Sequence, residues 1–192
     1  MASSLTLLRQ FIRQPGQIGT IAPSGPALVR EMVGGFDWAS IEAAVEYGPG
    51  TGVFTAEVMR RKSASTKFFA IERGEALVAA TRSRCPDVDV AHDDVRNVRR
   101  LCADRQIDRV DAIVCGLPWA AFGESLQTEI LREMFGVLPP GGRFATFAYV
   151  QGMALRAARR FSRRLDNEFT EVRRSRVVWR NLPPAFVYHC VR

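Results

Sequence analysis

Lysine is nearly absent from this chain: Lys62 and Lys67 are the only two in 192 residues, although Lys and Arg together number 27. Histidine is as scarce, with His92 and His189 far apart. The four cysteines, Cys85, Cys102, Cys115 and Cys190, form no C-x-x-C pair. Neither a zinc site nor a disulfide framework is expected, nor any other metal, and a reduced cytoplasmic setting fits. No apolar run reaches the roughly 18 residues of a spanning helix. The beginning lacks a basic region followed by a long apolar stretch and a cleavage site, so no secretion signal is read. Internal repeats and low-complexity linkers are missing too.

What is present is an ordinary globular composition, 47% hydrophobic and 24% charged, long enough for one well-buried core. The net charge of +7 is unevenly placed. Residues 1–30 hold three Arg and no acid, residues 31–150 hold 14 basic and 17 acidic residues, and residues 151–192 hold ten Arg against three acids. Basic ends on a mildly acidic middle suit a polyanionic partner, either an anionic membrane surface or RNA.

The middle alternates short β-rich runs with helical patterns. Strands are expected at Ala43–Tyr47, Lys67–Ile71, Val88–Ala91, Val110–Cys115 and Arg143–Tyr149, and helices at Val53–Arg61, Glu75–Arg84 and Ser125–Leu138. Such alternation predicts an α/β fold, a mostly parallel sheet with helices on both faces. The run Pro139-Pro140-Gly141-Gly142 stops a helix and turns the chain into the next strand. Glu171–Trp179 and Ala185–Val191 add an antiparallel strand pair at the C-terminal edge.

Two amphipathic stretches flank this unit. Leu5, Leu8 and Ile12 recur at helical spacing within an N-terminal segment taken as residues 1–35, ahead of a domain at 36–192. Arg156, Arg159, Arg160, Arg163 and Arg164 follow i, i+3, i+4, i+7, i+8 and predict one basic helix face, with Ala158, Phe161 and Leu165 apolar. That face suits either solvent or lipid phosphate.

The strongest local signal is Val45-Glu46-Tyr47-Gly48-Pro49-Gly50-Thr51-Gly52, at a strand-to-helix turn. Glycines at alternate positions let backbone approach a ligand closely. No Gly-Lys-Ser/Thr follows, so this is not a phosphate-cradling P-loop. Glu46, two residues before the first glycine, opposes a pyrophosphate but can receive a cationic group such as an amino-acid ammonium. Glu72 ends the next strand, where a carboxylate accepts hydrogen bonds from ribose hydroxyls. Asp93 follows the third strand, placed to accept from an adenine amino group.

These residues, in order on consecutive strands, resemble the class I S-adenosylmethionine-dependent methyltransferases. The resemblance implies a Rossmann-like, seven-stranded sheet and S-adenosylmethionine as cofactor. Its methionine end would lie near Glu46 and Gly48, its length along Gly50 and Gly52, its ribose on Glu72 and its adenine near Asp93. It also implies that Gly116-Leu117-Pro118-Trp119, after the fourth strand, faces the transferring methyl. Phe11-Ile12-Arg13-Gln14-Pro15 with Gly19–Ser24, Gly116-Leu117-Pro118, and Asn181–Tyr188 are similar to the bacterial phospholipid N-methyltransferases. A peripheral, membrane-surface enzyme acting on a phosphatidylethanolamine-type amino head group is thereby implied. Trp119 and Tyr149 become candidate catalytic residues, as aromatic faces for a cationic product, with Tyr149 also a candidate proton relay. An rRNA adenine dimethyltransferase is the alternative within the same chemistry, although Cys115-Gly116 stands where those enzymes carry Asn. A non-catalytic cofactor- and lipid-binding module is the alternative outside it.

Overall fold

The computed structural model describes residues 24–192. The N-terminal amphipathic stripe of Leu5, Leu8 and Ile12 lies outside the described residues. Seven strands form one sheet: β1 (Ala43–Tyr47), β2 (Lys67–Glu72), β3 (Asp89–His92), β4 (Ala112–Cys115), β5 (Arg143–Tyr149), β6 (Glu171–Arg174) and β7 (Ala185–Val191). Their order is β3-β2-β1-β4-β5-β7-β6. The first five pair in parallel, and β7 runs antiparallel to both β5 and β6. This is the Rossmann-like arrangement with an antiparallel C-terminal pair. The chain leaves β1 towards β2 on one side and returns to β4 on the other. A crevice therefore opens beyond the carboxyl ends of β1 and β4.

The two central strands are buried along their whole length, as a parallel sheet covered on both faces requires. Period-two alternation sorts their side chains. Val45 and Tyr47 join Phe69, Ile113 and Phe144 in one core, under α4 (Val98–Ala103), α5 (Glu124–Phe135) and α6 (Arg156–Glu168). Ala44, Val114 and Ala145 face the other core, under α1 (Pro26–Gly34) and α2 (Val53–Arg61). A third cluster sets Val78 of α3 (Glu75–Arg84) on Ala70 and Val90.

Helix α1 lies within the stretch that the sequence reading assigned to an N-terminal segment. Leu28 and Met32 are fully buried there, packed with Ala145 and Val187. Residues 26–34 are therefore part of the domain's own core. Helix α4, six residues long, is too short for its periodicity to stand out in the sequence.

The last strand pair is shorter than its sequence suggests. Pairing runs from Glu171 opposite Val191 to Arg174 opposite Tyr188; beyond it the Ser175 N–H still donates to the Val187 carbonyl at 2.8 Å, and Val178 bridges Ala185. From 174 to 178 is four residues, whereas from 188 to 185 is three. The one extra residue breaks the register, and regular pairing ends there.

The basic face of α6 is divided by its packing. Arg160 reaches Glu124 at 3.6 Å, and Arg164 pairs with Glu168 at 2.9 Å. Arg156, Arg159 and Arg163 remain exposed. Ala158, Phe161, Ser162 and Leu165 are buried on the opposite side.

Candidate active site

The turn after β1 is built from left-handed glycines: Gly48, Gly50 and Gly52 have φ of 66°, 59° and 75°, a region that costs other residues about 1–2 kcal/mol. Gly52 caps α2 and packs against α3, where a Cβ would lie 3.2 Å from Thr81 Cα. Gly48 passes under the loop after β4. A Cβ on Gly116 would stand 2.5 Å from the Gly48 carbonyl oxygen, so only glycine lets these two turns touch. A Cβ on Gly50 meets nothing within 4 Å. The space over Gly50 is open.

That space is a cavity of about 640 Å³, within the usual range for a small-molecule site. Gly48, Gly50, Glu72, Asp93, Gly116, Trp119 and Tyr149 all line it; Glu46 and Gly52 do not. Its two sides differ chemically. The glycine loop, Glu72, Asp93 and Asp94 form a polar side, while Trp119, Phe122, Leu126, Phe147, Tyr149 and Phe161 form an apolar one.

Glu72 is held by backbone alone. Its Oε2 accepts from the Gly50 N–H at 3.2 Å, and its Oε1 from the Gly74 N–H at 2.9 Å. With two donors on two oxygens, acceptor capacity remains for a ligand. Asp93 is more heavily engaged. Its Oδ1 accepts from the Asp94 N–H and the Asn97 amide, both at 2.7 Å, and its Oδ2 pairs with Arg100. The Asn97 amide leads the contacts that hold its carboxyl below the usual range. Asp94 pairs with Arg96 at 3.0 Å. Glu72 is thus the lining carboxylate with no ion pair among the described residues.

Glu46 occupies a different position. It points from β1 towards α2 and is completely buried. Its Oε2 accepts from the Thr55 hydroxyl at 2.7 Å, and its Oε1 has no partner among the described residues. Burial pushes this carboxyl up to about 8, with the nearby charge of Glu72 adding to it.

On the apolar side, Trp119 stacks on Phe161, with centroids 4.2 Å apart and planes 11° from parallel. Phe147 and Tyr149, two residues apart on β5, meet edge to face at 5.4 Å. Burial raises the Tyr149 hydroxyl above its ordinary value. Cys115 is buried in β4, its thiol pushed by burial up to about 12, and it does not line the cavity. Cys115 thus offers no side chain to the cavity, and Gly116 beside it leaves no room for a Cβ.

Sequence reasoning missed several lining residues. Asp94 had a signal, the acidic doublet with Asp93. Phe161 had one too, as part of the apolar stripe of α6. Phe122 and Leu126 had none, because only the tertiary fold brings the loop after β4 and the start of α5 over the crevice.

The residues fit S-adenosylmethionine. There is open room over Gly50 and an acceptor without a cation at Glu72, and behind the glycine turn, outside the lining, Glu46 keeps a buried carboxyl oxygen without a partner among the described residues. Among the described residues, no three His, Cys, Asp or Glu side chains cluster as a metal would need.

Comparison with known proteins agrees with this geometry. Residues 44–142 match the family described as methyltransferase domain. The ornithine lipid N-methyltransferase of Singulisphaera acidiphila is 31% identical over 193 aligned positions, covering 99% of this chain and 96% of that protein. Among solved structures, an O-methyltransferase from Bacillus cereus in complex with S-adenosylhomocysteine superposes with a TM-score of 0.71 at 14% identity, over 100% of this chain and 92% of that one. An rRNA methylase from Streptococcus thermophilus gives 0.63 at 16% identity, over 90% and 98%. At those identities the two structures report on fold alone.

Proposed function

The chain belongs to the methyltransferase-domain family and takes S-adenosylmethionine as cofactor, and from that premise we propose that it N-methylates the amino head group of a membrane lipid at the bilayer surface. The observation that carries this reading is the near end-to-end likeness to an ornithine lipid N-methyltransferase. The apolar side of the cavity supports it, as do the exposed Arg156, Arg159 and Arg163. No helix among the described residues is long and apolar enough to cross a membrane, so the reading is of an enzyme that works from the surface.

When bound, S-adenosylmethionine supplies a methyl carbon made electrophilic by its sulfonium charge. In this reading the protein's part is position and environment. Gly48 and Gly50 would give backbone access along the cofactor, and Glu46, buried behind them and outside the cavity lining, would meet its ammonium through the unpartnered Oε1 only on losing the proton that burial makes it hold. Glu72 accepts from the ribose hydroxyls with the acceptor capacity its two backbone bonds leave. Asp93 retains room on Oδ2, beside Arg100, for an adenine amino group.

The acceptor amine enters from the apolar side. In water a primary ammonium loses its proton near pH 10. Among Trp119, Phe147, Tyr149 and Phe161, desolvation favours the neutral amine. The product is cationic, and each aromatic face holds such a cation by about 0.5–2 kcal/mol. Phe161 covers one face of Trp119, and Phe122 and Phe144 pack edgewise on it, so the acceptor meets only the part of the ring that lines the cavity. Tyr149 keeps its proton, because burial makes the phenolate costly. It therefore serves as a donor and an aromatic wall, and proton loss from the amine goes to water at the cavity mouth.

Incubating the purified protein with methyl-labelled cofactor tests this reading. Amine-bearing lipid vesicles and total RNA are supplied in parallel. Label in the lipid fraction alone is the expected result. Label in the RNA fraction alone overturns it.

A further inference from the structure

Three large apolar side chains stand exposed among the described residues: Val150, Trp179 and Leu182, at 37%, 71% and 77%. They gather at one edge of the molecule. Val150 directly follows β5, and its N–H donates to the Pro184 carbonyl at 3.0 Å. Trp179 and Leu182 lie in the connection that leads into β7, between Val178, which bridges Ala185, and Pro184. This edge is the rim of the cavity. Tyr149, beside Val150, lines the cavity, and so does Ser24, next to Gly25.

The exposure is built into the fold. Asn181 is 3% exposed and turned inward. Its Oδ1 accepts from the Gly25 N–H at 2.8 Å, its Nδ2 donates to the Pro183 carbonyl at 2.7 Å, and its backbone N–H donates to the Val178 carbonyl at 3.2 Å. With Asn181 pinned against the start of α1, its neighbours Trp179, Arg180 and Leu182 are held outward. An indole and a leucine fixed in water at a cavity rim mark a contact surface.

Charge narrows the choice of partner. From Val172 to Arg192 the chain carries five arginines and no acid, and Arg173, Arg176 and Arg180 are exposed. Exposed apolar tips on the same stretch of chain as exposed arginines match a bilayer surface. Indole and aliphatic groups settle at the head-group and acyl boundary while arginines meet phosphate. A nucleic acid would use the arginines but leave Leu182 and Val150 in water.

We propose that the loop Val178–Pro184 is a membrane-docking loop. Trp179 and Leu182 enter the interface of an anionic bilayer, Arg180 and its neighbours bind lipid phosphate, and the cavity mouth is thereby set against the head groups. The purpose of the loop rests on the lipid reading above, but its test does not. Trp38 and Trp119 are 7% and 3% exposed, so the water-exposed part of the indole emission comes from Trp179. The full chain is titrated with vesicles of phosphatidylcholine alone and of phosphatidylcholine with phosphatidylglycerol. On the anionic vesicles the emission should shift to the blue and be quenched by brominated acyl chains. Trp179→Ser with Leu182→Ser should weaken vesicle binding on the order of tenfold or more with an unchanged melting temperature, since both side chains lie in water. Transfer to lipid presented in vesicles should fall with it, while transfer to a short-chain monomeric lipid of the same head group should not. Binding without a Trp179 shift, or a double variant that binds as wild type does, overturns the proposal. So does a dimer that the double variant dissolves while vesicle binding is unaffected, since the surface would then join two copies of the chain. Docking with Trp179 quenched but no lipid methylated supports the loop and overturns the substrate reading instead.

Discussion

Replacing Glu46 by Gln should make the protein more resistant to unfolding as pH rises and a poorer binder of its cofactor. The carboxyl is fully buried, Thr55 satisfies one oxygen, and the other has no partner. Burial lifts it from 4.5 to about 8. Because the folded value is raised, the folded state holds this proton more tightly than the unfolded chain does. The stability that follows is complete below about pH 4.5 and is lost as pH climbs to about 8. At about 1.4 kcal/mol per pH unit, roughly 3 kcal/mol of that loss has accrued by pH 7. Glutamine cannot ionise. It keeps the acceptor for Thr55 but places an amide N–H₂ where the unpartnered oxygen was, a constant cost of about 1–3 kcal/mol. The absolute stabilities of the two proteins at one pH therefore say little, and their difference across pH says much. Urea unfolding of both, from about pH 4.5 to 8, should show that difference moving in favour of Gln by several kcal/mol on the order of the value above. A difference that stays flat would refute the reasoning. The second measurement is calorimetric titration with S-adenosylmethionine. Loss of a charge-assisted bond to the ammonium should weaken binding about tenfold or more. Unchanged affinity would mean that this acid only supports the turn.

Gly50→Ala and Gly116→Ala separate two kinds of glycine. At Gly50 the Cβ meets open space but φ is 59°, so a cost of about 1–2 kcal/mol in unfolding free energy is expected, with cofactor affinity falling further than stability because the methyl group enters the cavity. At Gly116 the Cβ strikes the Gly48 carbonyl oxygen at 2.5 Å, so the melting temperature should drop sharply together with affinity. Trp119→Phe keeps an aromatic ring beside Phe161 and should lower transfer to amine acceptors more than calorimetric cofactor affinity; equal loss of both counts against Trp119 as an acceptor-facing wall. All four thiols are buried, and burial pushes those of Cys115 and Cys190 up to about 12. A disulfide reagent should therefore react with them only at the rate of unfolding, and fast reaction of the native protein would contradict the packing.

The parallel strands were legible because each is a short apolar run with a turn signal after it. Their register follows from burial on both faces. Less legible was whatever depends on contact between distant segments. Helix α1 looks like part of a preceding segment until Leu28 and Met32 are seen beneath Ala145 and Val187. The break in register between Arg174 and Val178 has no composition of its own. At the candidate site, glycines and carboxylates at strand ends could be read one by one, because turns and strand tips are local. Glu46 could be singled out as chemically important, but its direction could not. Only the packing of α2 against β1 puts Thr55 on it and keeps it behind the cavity wall. The apolar side of the cavity comes from three segments far apart in sequence, and no local pattern joins Phe122 and Leu126 to Phe161.

The placement of charge ties these features together. Carboxylates lie on one side of the cavity, and two of the three lining it are already paired with arginine, Asp93 with Arg100 and Asp94 with Arg96. Of the lining carboxylates, only Glu72 has no ion pair among the described residues. The opposite side carries aromatic and aliphatic groups. With Glu72 engaged by the cofactor's ribose in the proposed reading, no free lining carboxylate would solvate an acceptor ammonium, and the neutral amine would be favoured among the aromatic rings. Arginine is concentrated outside the cavity, on α6 and around the loop before β7, where it attracts phosphate without placing positive charge beside the amine. An interior that favours the uncharged acceptor and an exterior that favours an anionic surface are the two conditions for methylating an amine joined to a lipid. An RNA base needs only the second of them. An aromatic interior, a single unpaired carboxylate and exposed Trp179 together therefore weigh towards lipid more than net charge does.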